Sequence, residues 1–261
     1  MSFLLKIHPL ISFAIISIVS ITIAVIGLKL VRNKFPHDYM KEHHEVASFI
    51  FNAFGLIYAV LIAFVVFATW SSYDESERNV EMEANKLSDM FLDANGFSDT
   101  MKFNIRSAIT EYTKNVVEQE WPIMKNHEKL PPTVIESLKK IWSAYQNIDA
   151  KGINNPQMYD ESLRQLNSMS EYRRLRWLAS KKTTPDVIWF VLIAGAVISV
   201  FYTFLFGTRH FKIQILMTSF LTILNAMVLF LIYILDHPFT GYNAISDEAF
   251  RNILSMFQHM M

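Results

Sequence analysis

Cysteine is absent from the chain, which removes disulfides, thiol nucleophiles and zinc knuckles at once. Glycine is scarce, seven in 261 residues, and no glycine-rich phosphate-loop spacing occurs among them. Net charge is zero, 24 basic against 24 acidic residues, and no nucleic-acid partner is expected. Neither a Ser/His/Asp constellation nor a paired-carboxylate signature stands out, so the chain does not read as an enzyme and no cofactor is implied. Internal repeats and low-complexity tracts are missing too.

What the chain has in excess is uncharged apolar sequence. Four runs carry no Asp, Glu, Lys or Arg: Leu10–Leu28, Val46–Ser72, Val187–Thr208 and Ile213–Leu235. Each is long enough to cross a hydrocarbon core, which takes about 20 apolar residues. The first run is too long for a signal-peptide core and no small-x-small cleavage site follows, so it reads as a retained span. Most of the charges lie between Asp74 and Thr184.

The second run does not stop where the membrane should. It turns polar at Asp74-Glu75-Ser76-Glu77-Arg78, yet Tyr73, Val80, Ala84, Leu87, Phe91 and Ala94 keep a helical seam. A continuous helix over Val46–Ala94 would be about 70 Å long. Asn95-Gly96 is expected to end it with a left-handed cap, and Ser98-Asp99 to cap the next helix. That helix carries Ile105, Ile109, Tyr112 and Val116 on one face and is expected to end at Glu120-Trp121-Pro122. After Pro131-Pro132, a third helix presents Val134, Leu138, Ile141, Tyr145 and Ile148. A fourth, from about Gln157 to Ser180, turns Leu163, Leu166 and Leu175 inward. These stripes predict a small helical bundle. Thr184-Pro185-Asp186 opens the third span, and Ser246-Asp247-Glu248 caps a short amphipathic helix.

The expected architecture is an all-α membrane protein with four transmembrane helices and a cytosolic helical bundle inserted between the second and third. Its parts are 1–72 (two spans), 73–184 (the bundle, continuous with the second span), 185–236 (two spans) and 237–261 (a turn and short helix). An even number of spans puts the bundle and both termini on one side. The Lys and Arg bias makes that side the cytoplasm of a bacterial inner membrane.

Several constellations admit two readings. Glu42-His43-His44-Glu45 could ligate a metal, but adjacent histidines point to different helix faces, so an interfacial helix start is favoured and no metal is expected. Asn52, Gly55, Ala59 and Ala63 put small or polar groups on one side of the second span, for close helix packing or for a pore lining. Gln214, Thr218, Thr222 and Asn225 form a polar stripe suited to interhelical hydrogen bonds. No span carries a charge at its centre, which argues against a proton-coupled transporter. Arg173, Arg174, Arg176, Lys181 and Lys182 precede the third span, as lipid anchors or as an anion-attracting vestibule.

Trp70-Ser71-Ser72-Tyr73, Glu83-Ala84-Asn85-Lys86-Leu87, Glu120-Trp121-Pro122, Arg173-Arg174-Leu175-Arg176 and Pro238-Phe239-Thr240-Gly241 together resemble the bacterial bestrophin-like membrane family. Bestrophins themselves are pentameric anion channels with four spans, cytosolic termini and a pore lined by the second helix. The resemblance implies a homo-oligomer, a pentamer, embedded in the lipid bilayer and passing small anions. Its pore-lining candidates are Asn52, Gly55, Leu56, Ala59, Val60 and Ala63. The hydrophobic neck maps onto Asn52, Leu56 and Val60, with Asn52 a departure from the apolar pattern. The acidic calcium clasp of animal bestrophins is reduced to Asp247 and Glu248, so calcium gating is not implied. Pro238, Phe239 and Gly241 are expected to form a structural turn, with the Phe239 ring packed into the base of the spans. The alternative function is a membrane-anchored scaffold or sensor whose bundle binds a partner.

Overall fold

The computed structural model describes residues 5, 7–34, 44–126, 132–148, 153, 155–206, 208 and 210–260. Among them all regular secondary structure is helical, and an isolated bridge between Phe97 and Ile153 is the one extended pairing. The helices are α1 (Pro9–Lys34), α2 (His44–Asp93), α3 (Asp99–Asn115), α4 (Trp121–Asn126), α5 (Pro132–Gln146), α6 (Pro156–Ala179), α7 (Asp186–Leu205), α8 (Phe211–Leu235) and α9 (Glu248–Met260). Four segments are long and apolar enough to cross a membrane: Pro9–Lys34, Glu45–Gly96, Asp186–Leu205 and Phe211–Leu235.

The long rod is one unbroken helix of 50 residues, about 75 Å at the usual rise. Its end differs from the expected left-handed cap. Ala94–Gly96 forms a tight 3-10 turn, and among the described residues only Gly241 has a positive φ. The reason is the Arg106 side chain on α3, whose Nε donates to the Phe91 carbonyl at 3.1 Å and whose Nη2 donates to Asn95 Oδ1 at 3.1 Å. With a helix-end carbonyl already satisfied, a left-handed turn is unnecessary. Gly96 is small for a different reason: a Cβ there would sit 2.8 Å from Cβ of Met158. Ser98 starts α3 without a side-chain cap bond.

The helix expected to stop at Glu120-Trp121-Pro122 continues instead. Val116–Glu120 winds as a π turn and leads into α4. Pro122 has no N–H to give the helix ladder, and the wider turn lets the Trp121 N–H reach the Val116 carbonyl. The inward stripe of α6 is also shifted. Ser162, Leu166, Met169 and Arg176 are buried, whereas Leu163 and Leu175 are half-exposed. Asn155 caps α6 by accepting from the N–H groups of Gln157 and Met158. Thr184 is not the cap of α7; its N–H and Oγ1 both donate to Asp236 Oδ1, at 2.7 and 2.6 Å.

The chain forms two compact units. The first comprises Met1–Ser72, Thr183–His237 and Gly241–Asn243; the second comprises Tyr73–Lys182, Pro238–Thr240 and Ala244–Met261. The tail expected as a separate piece is thus divided between them. In the first unit, Tyr58 of α2 lies on α7 and donates to the Leu192 carbonyl at 2.8 Å. Gly195 permits this approach, since a Cβ there would be 2.2 Å from the tyrosine ring. At the other end of the same spans, Arg32 of α1 donates to Gln214 of α8, which donates to the Phe206 carbonyl just past α7.

The second unit is a bundle of the distal part of α2 with α3 to α6 and α9. Val80, Ala84, Leu87, Phe91, Ile105, Ile109, Tyr112 and Val116 are all buried, as the seam spacing requires. Phe91 stacks on Phe257 of α9 at 4.2 Å. Phe239 belongs to this core rather than to the spans: its ring is 2 % exposed and meets Trp121 edge-on at 5.9 Å. Gly241 turns the chain at φ 96°, where a Cβ would come within 2.4 Å of the Leu5 carbonyl.

Candidate functional site

The second span has two contrasting sides. Phe51, Phe54 and Tyr58 face α7, with Phe51 5.7 Å and Phe54 6.1 Å from the Tyr202 ring. Asn52, Leu56, Ala59, Val60 and Ala63 face away and are exposed, Leu56 by 69 %. Gly55 lies among them, and a Cβ there would meet nothing within 4 Å. This side has no ionisable group, one amide at Asn52 and a bulky apolar position at Leu56. Nothing in the described part of the same chain covers it. In contrast, the polar stripe of α8 is internal. Thr218 pairs with Thr203 at 2.9 Å, Asn225 donates to Ser199 at 2.9 Å, and Gln214 bridges α1 and α7. Apart from Thr222, which donates to the Thr218 carbonyl of its own helix, its hydrogen bonds run between helices, which is the ordinary use of such groups in a membrane.

The bundle contains a cluster of buried charge. Glu83 of α2, Glu120 at the end of the π turn and Arg176 of α6 are fully buried. Arg176 grips Glu83 with a fork, Nε to Oε2 at 2.7 Å and Nη2 to Oε1 at 3.1 Å. Tyr112 adds a 2.6 Å bond to Glu83 Oε1. Glu120 lies between two arginines, 3.5 Å from Arg176 and 3.4 Å from Arg173. The guanidinium of Arg176 also sits 5.5 Å from the rings of Trp121 and Phe250. Burial opposes charge on Arg176, but Glu120 and Glu83 outweigh it and raise its pKa above the ordinary value. Burial, then Glu83 and Glu120, pushes the Tyr112 phenol well above its ordinary value, against the pull of Arg173 and Arg176.

The five cations expected together therefore separate. Arg176 is buried and neutralised by two carboxylates, and the Arg173 side chain is 12 % exposed beside Glu120. Neither can attract anions from solution, which corrects the sequence expectation for these two residues. Arg174 remains exposed beside Glu171 at 4.0 Å, Lys181 lies 4.8 Å from the Trp177 ring, and Lys182 is exposed. Of Glu42-His43-His44-Glu45, positions 42 and 43 lie outside the described residues. Among those described, no cluster of three potential ligands could hold a metal. Asp247 is taken by Arg251 at 2.8 Å.

A sequence model of the bestrophin-like domain matches residues 18–250. The chain belongs to the bestrophin-like family. Its fold resembles a bacterial bestrophin homologue from Klebsiella pneumoniae, seen in a point variant with TM-score 0.71 at 12% identity, covering 92% of this chain and 97% of that one. The zinc-phased structure of the Klebsiella homologue gives TM-score 0.70 at 12% identity, over 92% and 96%. A structure described as a membrane protein matches with TM-score 0.70 at 11% identity, over 92% and 96%. No relative is found among curated proteins. At these identities the likeness is one of fold.

In this bestrophin-like chain, sequence reasoning missed Glu83 and Glu120 as partners of the arginines, and Tyr112 as a partner of Glu83. The signal was present. Glu83 falls three residues after Val80 and four before Leu87, squarely on the apolar seam. Arg173 and Arg176 continue the Leu166 and Met169 stripe at steps of four and three.

Proposed function

We propose that copies of this chain assemble around an axis lined by the second span and form an anion-permeable membrane channel. The observation that carries this reading is the bare side of α2, with Asn52, Leu56, Ala59, Val60 and Ala63 exposed and Gly55 unobstructed. A spanning helix whose opposite side is packed has only lipid or other copies to meet on the bare one. Membership of the bestrophin-like family favours copies, and the resemblance to bestrophins favours five of them. Leu56 would form the narrowest apolar ring, and such rings gate by dewetting. Arg174, Lys181 and Lys182 are the exposed cations of this group and would raise local anion concentration, an effect that fades with salt. The bundle and termini would face the cytoplasm.

Reconstituted protein should pass chloride in preference to sodium, and Leu56→Ala should increase the chloride flux. Liposomes that stay chloride-tight, or purified protein that remains monomeric, would overturn the channel. A symmetric ring without conductance would instead support the scaffold.

A further inference from the structure

The spans enclose a cavity of about 380 Å³ that the channel reading does not use. One wall is α1 at Ser20, Ala24 and Gly27; the other is α7 at Ala196, Val200 and Phe204. Thr222 and Asn225 of α8 form the floor. Ala24 and Ala196 are small where they line it, whereas Gly27 is small because the Phe204 ring packs against it, 3.0 Å from where a Cβ would sit. Its volume lies in the range of about 300–1,000 Å³ typical of small-ligand sites. We propose that it holds an acyl chain of a bilayer phospholipid.

Three observations select this occupant. Among the described residues, no ionisable one lines the cavity, so a charged water-soluble ligand would find no counter-charge inside. The floor makes no demand for water, because Thr222 already donates to the Thr218 carbonyl and Asn225 to Ser199. Left empty, an apolar space forfeits the dispersion contacts of its lining. The mouth is rimmed by exposed apolar side chains, Ile23 at 67 % and Val197 at 62 %, on helices that cross the hydrocarbon. Acyl chains are the material on that side.

The cavity reaches Gly27 and Phe204, close to the C-terminal ends of α1 and α7. Those ends meet the start of α8 through the Arg32–Gln214–Phe206 bonds, so the cavity runs along the spans toward that end.

The full chain would be placed in mixed phosphatidylcholine and phosphatidylglycerol vesicles containing a trace of either lipid with a diazirine in one acyl chain. After irradiation, labelled residues are mapped by peptide mass spectrometry. Label should concentrate on Ile193–Phe204 and Thr222–Leu229, from either lipid. Val200→Trp, which fills the cavity, should cut that label roughly tenfold, equivalent to about 1.4 kcal/mol. Phe220→Trp, on an exposed side of α8, should leave it unchanged and controls for added bulk. Label spread evenly over all exposed apolar positions, or indifferent to Val200→Trp in protein that retains its unfolding temperature, would overturn the site. So would protection of these segments in assembled protein, which would mean that another copy covers them.

Discussion

The two units bury opposite kinds of polar group. Inside the spans lie neutral hydroxyls and amides: Ser12, Ser17, Ser199, Thr218, Thr222, Gln214 and Asn225. Inside the bundle lie full charges: Glu83, Glu120 and Arg176, with Arg173 at their edge. The outer surfaces are reversed, with large apolar side chains covering the spans and the exposed ion pairs Lys140–Glu111 and Arg164–Glu161 on the bundle. A neutral polar group left over in hydrocarbon can find another donor or acceptor, so each such bond adds little. A buried charge has no such latitude: desolvation costs several kcal/mol per ion, and the partners must come as a set. Charges in the bundle should therefore act as an indivisible unit, whereas polar groups in the spans should act singly and weakly.

The largest effect is expected at Arg176. Arg176→Met should lower bundle stability by about 3–5 kcal/mol, because Glu83 loses its fork and Glu120 one of two cations. Replacing Glu83, Glu120, Arg173 and Arg176 together by apolar residues of similar volume should restore most of that loss. Thermal unfolding in detergent followed by circular dichroism reads both. A loss under about 1 kcal/mol for Arg176→Met, the range of a surface pair, would remove the contrast between the units.

Tyr112 sharpens the same point through pH. Tyr112→Phe removes a bond to a buried carboxylate and should cost about 1.5–3 kcal/mol at neutral pH. Because the folded state raises the phenol above its ordinary value of 10.0, its contribution is complete below that pH and is lost as pH rises toward the folded value. The native protein should therefore lose stability above about pH 10 more steeply than Tyr112→Phe. Parallel curves would mean that Tyr112 is not the group being titrated.

In the spans, the counterpart is Asn225. Asn225→Ala should cost only about 0.6 kcal/mol, with about 1.7 as a ceiling for interhelical bonds of this kind. A loss as large as that at Arg176 would show that neutral and charged groups are not treated differently after all.

This contrast also explains what could be read in advance. The four spans and the bundle helices follow from uncharged length and seam spacing, and Val80, Ala84, Leu87 and Phe91 lie where the period puts them. Arg173 and Arg176 were misplaced because charge near a membrane segment suggests an anchor or a vestibule, and nothing in one helix says that another supplies carboxylates. Their partners are distant in sequence, Glu83 on α2 and Glu120 on a π turn whose existence depends on Pro122. In the spans, apolar residues occupy the outside and the inside alike, so hydropathy cannot tell which side of α2 is bare. The cavity was invisible for a related reason: small residues such as Ala24 and Ala196 signify close packing as readily as empty space, and Gly27 beside them is in fact closely packed by Phe204.

The smallest effect expected is a gain, at the point where the rod ends. Asp93 is the last residue of α2, where the helix carbonyls make the end partially negative, and no side-chain cap bond holds it. Burial raises its carboxyl above the ordinary value, and the neighbouring acids Asp89 and Glu161 add to the shift. A raised carboxyl pKa means that the protonated form suits the fold, so this group favours folding below 3.8 and its contribution disappears as pH rises. At neutral pH the charge is a liability. Asp93→Asn keeps the shape and removes it, and should stabilise the bundle by an amount near the lower end of the about 0.3–1 kcal/mol typical of helix-end charges. The gain should shrink in high salt, because Asp93 is partly exposed and its repulsions are screened. Unfolding temperatures of both proteins across a salt series test this. A gain that persists in high salt would assign the effect to lost desolvation, and no gain at all would mean that Asp93, unlike Glu83, stands outside any electrostatic account of the bundle.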